Sequence, residues 1–121
     1  MLRLMWIVLA AMLWLPQAQA FQPAQDAYTG LAIISVADLP AEARDTLRAI
    51  KQGGPFAYPR DGAAFGNYER ILPKQRRGYY REYTVKTPGA HNRGARRIIS
   101  GAANEYYYTA NHYQTFKRIR E

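Results

Sequence analysis

Cysteine is absent from the 121 residues, so the chain can form no disulfide and has no thiolate to use as nucleophile or metal ligand. Histidine occurs only twice, at His91 and His112, and no cluster of carboxylates accompanies either one. A metal site is therefore not expected, and no motif implies a cofactor. Long apolar runs are missing too: the unbroken stretch from Leu4 to Leu15 has twelve residues, short of the roughly 20 that span a bilayer as a helix. Acidic residues are scarce, nine against seventeen Lys and Arg, for a net charge of +8.

What is present first is an export signature. Arg3, the apolar stretch, Pro16 and the small residues of Ala18-Gln19-Ala20 follow in the order of a secretory signal peptide. The expectation is a signal peptide over residues 1–20, cleaved near Ala20, and a single domain over residues 21–121, released outside the cell or into the periplasm without stable membrane association. An uncleaved anchor is the alternative. Charge divides the domain unevenly: residues 21–69 hold four basic and six acidic side chains, residues 70–121 twelve basic and three acidic. Such polarity favours a polyanionic partner, nucleic acid or an anionic membrane surface, although plain solubility would also use it.

Within the domain, Phe21 to Gly30 reads as a loose arm and Leu31 to Val36 as an edge strand. Asp38 is the expected N-cap of a helix with Pro40 in its first turn. Leu39, Ala43, Leu47 and Ile50 lie along one face, and Gly53-Gly54-Pro55 ends it. Pro55 to Gly66 reads as a loop. Strand-like runs follow at Tyr79 to Lys86, Arg96 to Ser100, Glu105 to Thr109 and Tyr113 to Ile119, joined by turns rich in Gly, Pro and Asn. One main N-terminal helix packed on a short-stranded antiparallel sheet is an α+β domain. The triple tyrosine Tyr106-Tyr107-Tyr108 is expected in the core and sheet surface rather than as a base-stacking platform.

Alternation along a strand puts Tyr80, Glu82 and Thr84 on one face. Glu82 is the one acid between Glu69 and Glu105, with Arg76, Arg77, Arg81, Lys86, Arg93, Arg96 and Arg97 around it in sequence. Such cations favour an ionised carboxylate that can accept a proton; a structural ion pair is the competing explanation. A carboxylate base, a histidine and several arginines could cleave a phosphodiester without a metal. The base would deprotonate a hydroxyl, the arginines would stabilise the phosphorane, and the histidine would protonate the leaving oxygen. RNA carries that hydroxyl internally as its ribose 2′-OH.

The stretches "LPAEARDTL", "GGPFAYPRDGAAFGNYE", "LPKQRRGYYREYTVKTPGA", "RGARRII" and "YYYTANHYQTF" resemble the small secreted guanyl-specific ribonucleases of microbes, the barnase-like group, and its actinomycete branch most of all. The similarity runs from Leu39 to Ile119. It implies Glu82 as general base, Arg93 and Arg97 on the phosphate, His112 as general acid and Tyr113 as the neighbouring tyrosine of the active site. It also implies that Phe65 lies beneath guanine, that backbone groups around Asn67 and Tyr68 meet guanine O6, and that Glu69 reads the base edge. His112 would then stand at a strand entrance, across the phosphate from Glu82. Single-stranded RNA is the implied substrate, a barstar-like acidic protein an implied inhibitor, and a monomer the implied state.

The chain departs from that pattern at Gly66 and Tyr68, where polar or basic residues are usual, and in lacking the disulfide that usually joins the ends of the domain in the actinomycete branch. Arg76, Arg77 and Arg81 are read either as contacts to flanking phosphates or as a solvated surface, and His91 as incidental. Two other functions stay open, a catalytically silent RNA-binding module and a cationic toxin acting on membranes. The lack of a second long amphipathic helix speaks against the toxin.

Overall fold

A computed structural model describes residues 24–121; the expected signal peptide lies outside them. In chain order the elements are β1 (Ile33–Ser35), a 3₁₀ turn (Val36–Asp38), α1 (Ala41–Gln52), β2 (Ala63–Ala64), β3 (Arg81–Thr84), β4 (Arg97–Ser100), β5 (Tyr106–Thr109) and β6 (Lys117–Arg120). The sheet order is β1-β6-β5-β4-β3-β2, antiparallel throughout except for the parallel β1–β6 pair. This is an α+β fold, one helix on a six-stranded mixed sheet.

The helix forms where the apolar spacing places it. Leu39, Ala43 and Leu47 are buried against Val85, Ile98, Tyr106, Tyr108 and Ile119, with Ile50 packed at the margin. At its C-terminal end Gly53 takes a left-handed φ of 80°, which lets the chain turn back and satisfy the last carbonyls. Its start differs from the sequence reading. Leu39 adopts an extended conformation to reach the core, so the helix begins after Pro40, and Asp38 belongs to the 3₁₀ turn, where its carboxylate accepts a hydrogen bond from Ser35 Oγ at 3.0 Å.

A second cluster, Leu72, Tyr80, Ile99, Tyr107 and Phe116, fills the other face of the sheet. The triple tyrosine is fully committed to these two cores: Tyr106 and Tyr108 point to the helix, Tyr107 away from it, and all three are buried. The register puts Glu82 opposite Ile99, Thr84 opposite Arg97, and Arg97 opposite Thr109. Opposed residues share a face, so Glu82, Thr84, Arg97 and Thr109 all lie on the side turned away from the helix.

The expected last strand is shorter than its aromatic content suggests: residues 113–116 are turn, and pairing begins at Lys117. The N-terminal arm is also better anchored than expected. Gln25 bridges to Ala32, and Asp26 accepts hydrogen bonds from Thr29 N at 2.9 Å, Thr29 Oγ1 at 2.8 Å and Arg118 Nη1 at 3.1 Å. Together with the β1–β6 pair, this ion pair ties the two ends of the domain where no disulfide can.

Burial of Asp26 works to raise its pKa, but the hydrogen bonds from Thr29 and Arg118 outweigh it and hold the carboxyl below its ordinary value. A depressed folded-state pKa means that the stabilisation is present above the unfolded value, about 3.9, and is lost as pH falls through the folded value. Asp26→Asn should therefore lower stability at pH 7 by about 1–3 kcal/mol, as expected for hydrogen bonds to a charged group. In thermal melts the gap from the parent should close below about pH 4; a gap independent of pH would show that the Asp26 charge contributes nothing.

Candidate active site

Glu82 sits in the middle of β3 with its side chain only 8% exposed. Burial of a charged carboxylate demands donors, and three reach it. Arg60 Nε (3.2 Å) and Arg93 Nη2 (3.3 Å) donate to Oε1, and the Tyr113 hydroxyl (3.0 Å) donates to Oε2. A carboxylate offers about four acceptor positions, so one remains for a further donor. Of the seven cations that flank Glu82 in sequence, Arg93 is the one that bonds to it. Arg96 turns instead to Glu42 and the Lys86 carbonyl, and Arg81 to the Gly62 carbonyl.

Arg93 is aimed by Thr84, whose Oγ1 accepts from its Nε at 3.0 Å and from its Nη2 at 2.9 Å. Arg97, buried to 3% exposure, donates through Nη1 to the carbonyls of Gly94 (3.0 Å) and Arg96 (2.8 Å). Its Nε finds no partner among the described residues.

His112 is not at a strand entrance. It occupies the tight turn between β5 and β6, where Thr109 Oγ1 donates to Asn111 Oδ1 (3.0 Å) and Asn111 Nδ2 to Thr115 Oγ1 (2.9 Å). This network forces two successive left-handed residues, His112 (φ 54°) and Tyr113 (φ 71°). Such conformations are costly for residues other than glycine and persist only where the surroundings impose them. Here the His112 amide donates to the Ala95 carbonyl at 2.9 Å and the Tyr113 amide to Thr109 Oγ1 at 3.1 Å. The result is an exposed imidazole beside the Tyr113 ring, centroids 4.8 Å apart, while the Tyr113 hydroxyl reaches Glu82. Burial first, then the neighbouring Glu82 carboxylate, pushes the Tyr113 hydroxyl up to about 12 despite an opposing effect of Arg97, so it remains a donor at neutral pH.

Next to this group lies a pocket of about 190 Å³ lined by Phe65, Asn67, Tyr68, Glu69, Ile71, His112, Tyr113 and Phe116. Drug-sized ligands occupy about 300–1,000 Å³, so this space suits a single planar heterocycle. Phe65, with its ring centroid 4.8 Å from that of Tyr113, supplies an aromatic wall. Asn67 is left-handed (φ 50°) and its side chain clamps the loop, accepting from Leu72 N at 3.2 Å and donating to Leu72 O at 2.8 Å. Its side chain is thus occupied, and its carbonyl accepts from Arg70 N at 3.0 Å, while the amides of 67–69 make no backbone hydrogen bond among the described residues. Glu69 is exposed and makes no ion pair among the described residues. Gly66 and Tyr68 are coupled: a Cβ at Gly66 would come within 2.5 Å of the Tyr68 ring, which is itself 93% exposed.

The structure thus brings Glu82, Arg93 and Tyr113 into direct contact, places His112 against Tyr113, and joins His112 and Tyr113 to Phe65, Asn67, Tyr68 and Glu69 around one pocket. Arg97 neighbours Thr84 and Thr109 on the same sheet face. Sequence reasoning missed Arg60. Its Pro59-Arg60-Asp61-Gly62 stretch marks a turn, but the carboxylate it meets lies 22 residues onward. That turn is fixed to β3 by Gly62 N donating to Glu82 O (2.8 Å) and by Asp61 Oδ1 accepting from Thr84 N (2.8 Å).

A family model described as ribonuclease matches residues 22–120. Guanyl-specific ribonuclease St of Saccharopolyspora erythraea is 52% identical over 89 residues, covering 74% of this chain and 88% of that protein. Guanyl-specific ribonuclease Sa of Kitasatospora aureofaciens is 55% identical over 87 residues, covering 71% and 91%. A solved structure of ribonuclease Sa2 complexed with mononucleotides superposes with a TM-score of 0.74 at 44% identity, covering 83% of this chain and 98% of that one. A second Sa2 structure, holding guanosine-2′-cyclophosphate, gives 0.72 at 47% identity over 74% and 96%. The match spans the strands and loops that hold the carboxylate, the arginines and the histidine, and the chain belongs to the ribonuclease family.

Proposed function

We propose that this chain is a guanyl-specific endoribonuclease that cuts single-stranded RNA on the 3′ side of guanosine. The observation that carries the reading is the buried Glu82, met by two guanidinium groups and a tyrosine hydroxyl, with one acceptor position to spare beside a pocket of base size. Glu82 accepts the proton of the ribose 2′-OH as its oxygen attacks phosphorus. Negative charge gathers on the phosphorane, where the Arg93 and Arg97 guanidinium groups stabilise it more than they stabilise the starting diester. His112 gives its proton to the departing 5′ oxygen, leaving a 2′,3′-cyclic phosphate. In the second step the roles reverse: His112 takes a proton from water, Glu82 returns one to the 2′ oxygen, and a 3′-phosphate results. Every group named belongs to the chain, so the reading needs no metal or cofactor.

The pocket accounts for the base. Guanine presents N1–H and an N2 amino group side by side, which two oxygens of Glu69 can accept, while Phe65 supports the ring and amides around Asn67 and Tyr68 meet O6. Adenine would bring an unprotonated N1 against the carboxylate. A site that leaves such a charge unpaired can discriminate by about 10⁴ or more.

The same reading extends to the protein's surroundings. Export through residues 1–20 would keep the enzyme away from its maker's RNA after secretion as a monomer. Before export, an acidic, barstar-like protein filling the site around Arg93, Arg97 and His112 would protect the cell; close charge pairs across barnase–barstar are an established example of strong coupling.

Glu82→Gln and His112→Ala should each lower kcat on the dinucleotide GpC by at least about a hundredfold, and the variant at the exposed His112 should do so without loss of thermal stability. Full activity in both purified variants would remove these assignments. Glu69→Gln should sharply reduce cleavage after guanosine and spare slow cleavage after other bases; an undiminished guanosine preference in dinucleotide assays would dismiss Glu69 as the reader. Competition between an acidic inhibitor and a guanosine monophosphate should be mutual in titration calorimetry, and simultaneous binding of both would contradict the shared site.

A further inference from the structure

Between the guanine pocket and β3 the chain carries Arg70, Lys74, Arg76, Arg77 and Arg81, all exposed and none in an ion pair with a carboxylate among the described residues. A solvated surface would account for their exposure. It does not account for the open pocket of about 300 Å³ that two of them, Arg76 and Arg77, line together with Gln75, Tyr80 and the 65–68 loop. Phe65, Asn67 and Tyr68 line both this space and the pocket proposed for guanine. The 65–68 loop is therefore shared, bordering His112 and Tyr113 in the first pocket and Arg76 and Arg77 in the second.

Tyr68 belongs to that shared loop. Its ring is 93% exposed and lies across Gly66, where only the missing Cβ makes room for it. An exposed aromatic face beside two guanidinium groups is the combination that holds single-stranded nucleic acid, the ring stacking on a base and the cations meeting backbone phosphates. The direction of the strand follows from the chemistry. The cleaved phosphate, 3′ to guanosine, would lie at Glu82 and His112, so RNA on the 5′ side of that nucleotide has to leave elsewhere, and the shared loop offers a route into the second pocket.

We propose that this second pocket binds the RNA immediately 5′ of the cleaved guanosine, with Arg76 and Arg77 on its phosphates and Tyr68 stacked on a base. The proposal rests on the guanine reading of the first pocket, and its test separates the two. Cleavage of GpC, of UpUpGpC and of GpCpUpU is compared for the parent and for the double variant Arg76→Ala/Arg77→Ala. In the parent, the 5′ extension should raise kcat/KM about tenfold or more, since one stacked base contributes about 1–3 kcal/mol. The double variant should lose the share of that gain that comes from the phosphate contacts, several-fold or more, while cutting GpC and GpCpUpU as the parent does. It should also lessen the salt dependence of binding the 5′-extended substrate, by about 0.7 in the log–log slope for each phosphate contact removed. The proposal fails if the 5′ extension gives no gain, if the 3′ extension gives the same gain, or if the double variant keeps all of it. Failure of the parent to cut GpC would overturn the ribonuclease reading, and this proposal with it.

Discussion

An ionised carboxylate inside a protein needs a donor for each of its buried oxygens, and at Glu82 these donors come from three separate parts of the chain. Arg60 arrives from the turn before β2, Arg93 from the loop before β4, and Tyr113 from the turn between β5 and β6. Each loop is fastened to the sheet by its own bonds, through Asp61 to β3, through Thr84 to Arg93, and through Thr109 to Tyr113. Glu82 is thus the point on which the loops around the site converge. Its position mid-strand gives it a fixed place, and the three donors hold both of its oxygens in position.

Apart from Ala103 and Asn104 in the turn between β4 and β5, the strained backbone lies in two loops of the candidate site. Among the residues other than glycine with positive φ, Asn67 and Arg70 lie in the loop beside Glu69, and His112 and Tyr113 are adjacent in the histidine turn. In each case side chains with short polar groups hold the unfavourable conformation: Asn67 by bonding to Leu72, His112 and Tyr113 through the Thr109–Asn111–Thr115 network. The rest of the domain follows regular packing, with the helix on one face of the sheet and a second aromatic core on the other. Fold and site are therefore built by different means, apolar burial for the first and polar clamps for the second.

That division explains what could be read from the sequence. The helix stripe of Leu39, Ala43, Leu47 and Ile50 and the alternation of Tyr80, Glu82 and Thr84 are local periodic signals, and both faces are as they imply. The two residues of β2 are too few to show a period, so they were hidden in a loop. The aromatic run after Asn111 reads as strand, yet Thr109, Asn111 and Thr115 bond to one another and bend it into a turn. Asp38 has the right chemistry for a cap but is displaced because Leu39 must reach the core. Arg60 and the Asp26–Arg118 pair depend on contacts across 22 and 92 residues, which no short window contains. The grouping of Glu69, Arg93, Arg97 and His112 into one function came from family resemblance, because their spacing alone does not bring them together.

The central claim is that a carboxylate of this chain activates the 2′-hydroxyl of guanosine. It is tested most directly with two RNA oligonucleotides that carry a single guanosine, identical except that one has 2′-deoxyguanosine at that position, each incubated with residues 21–121 in EDTA. The account predicts that only the all-ribose strand is cut, at the bond 3′ of guanosine, leaving first a 2′,3′-cyclic phosphate and then a 3′-phosphate. Cleavage of the deoxyguanosine strand at the same bond, or new ends bearing a 3′-hydroxyl, would contradict it.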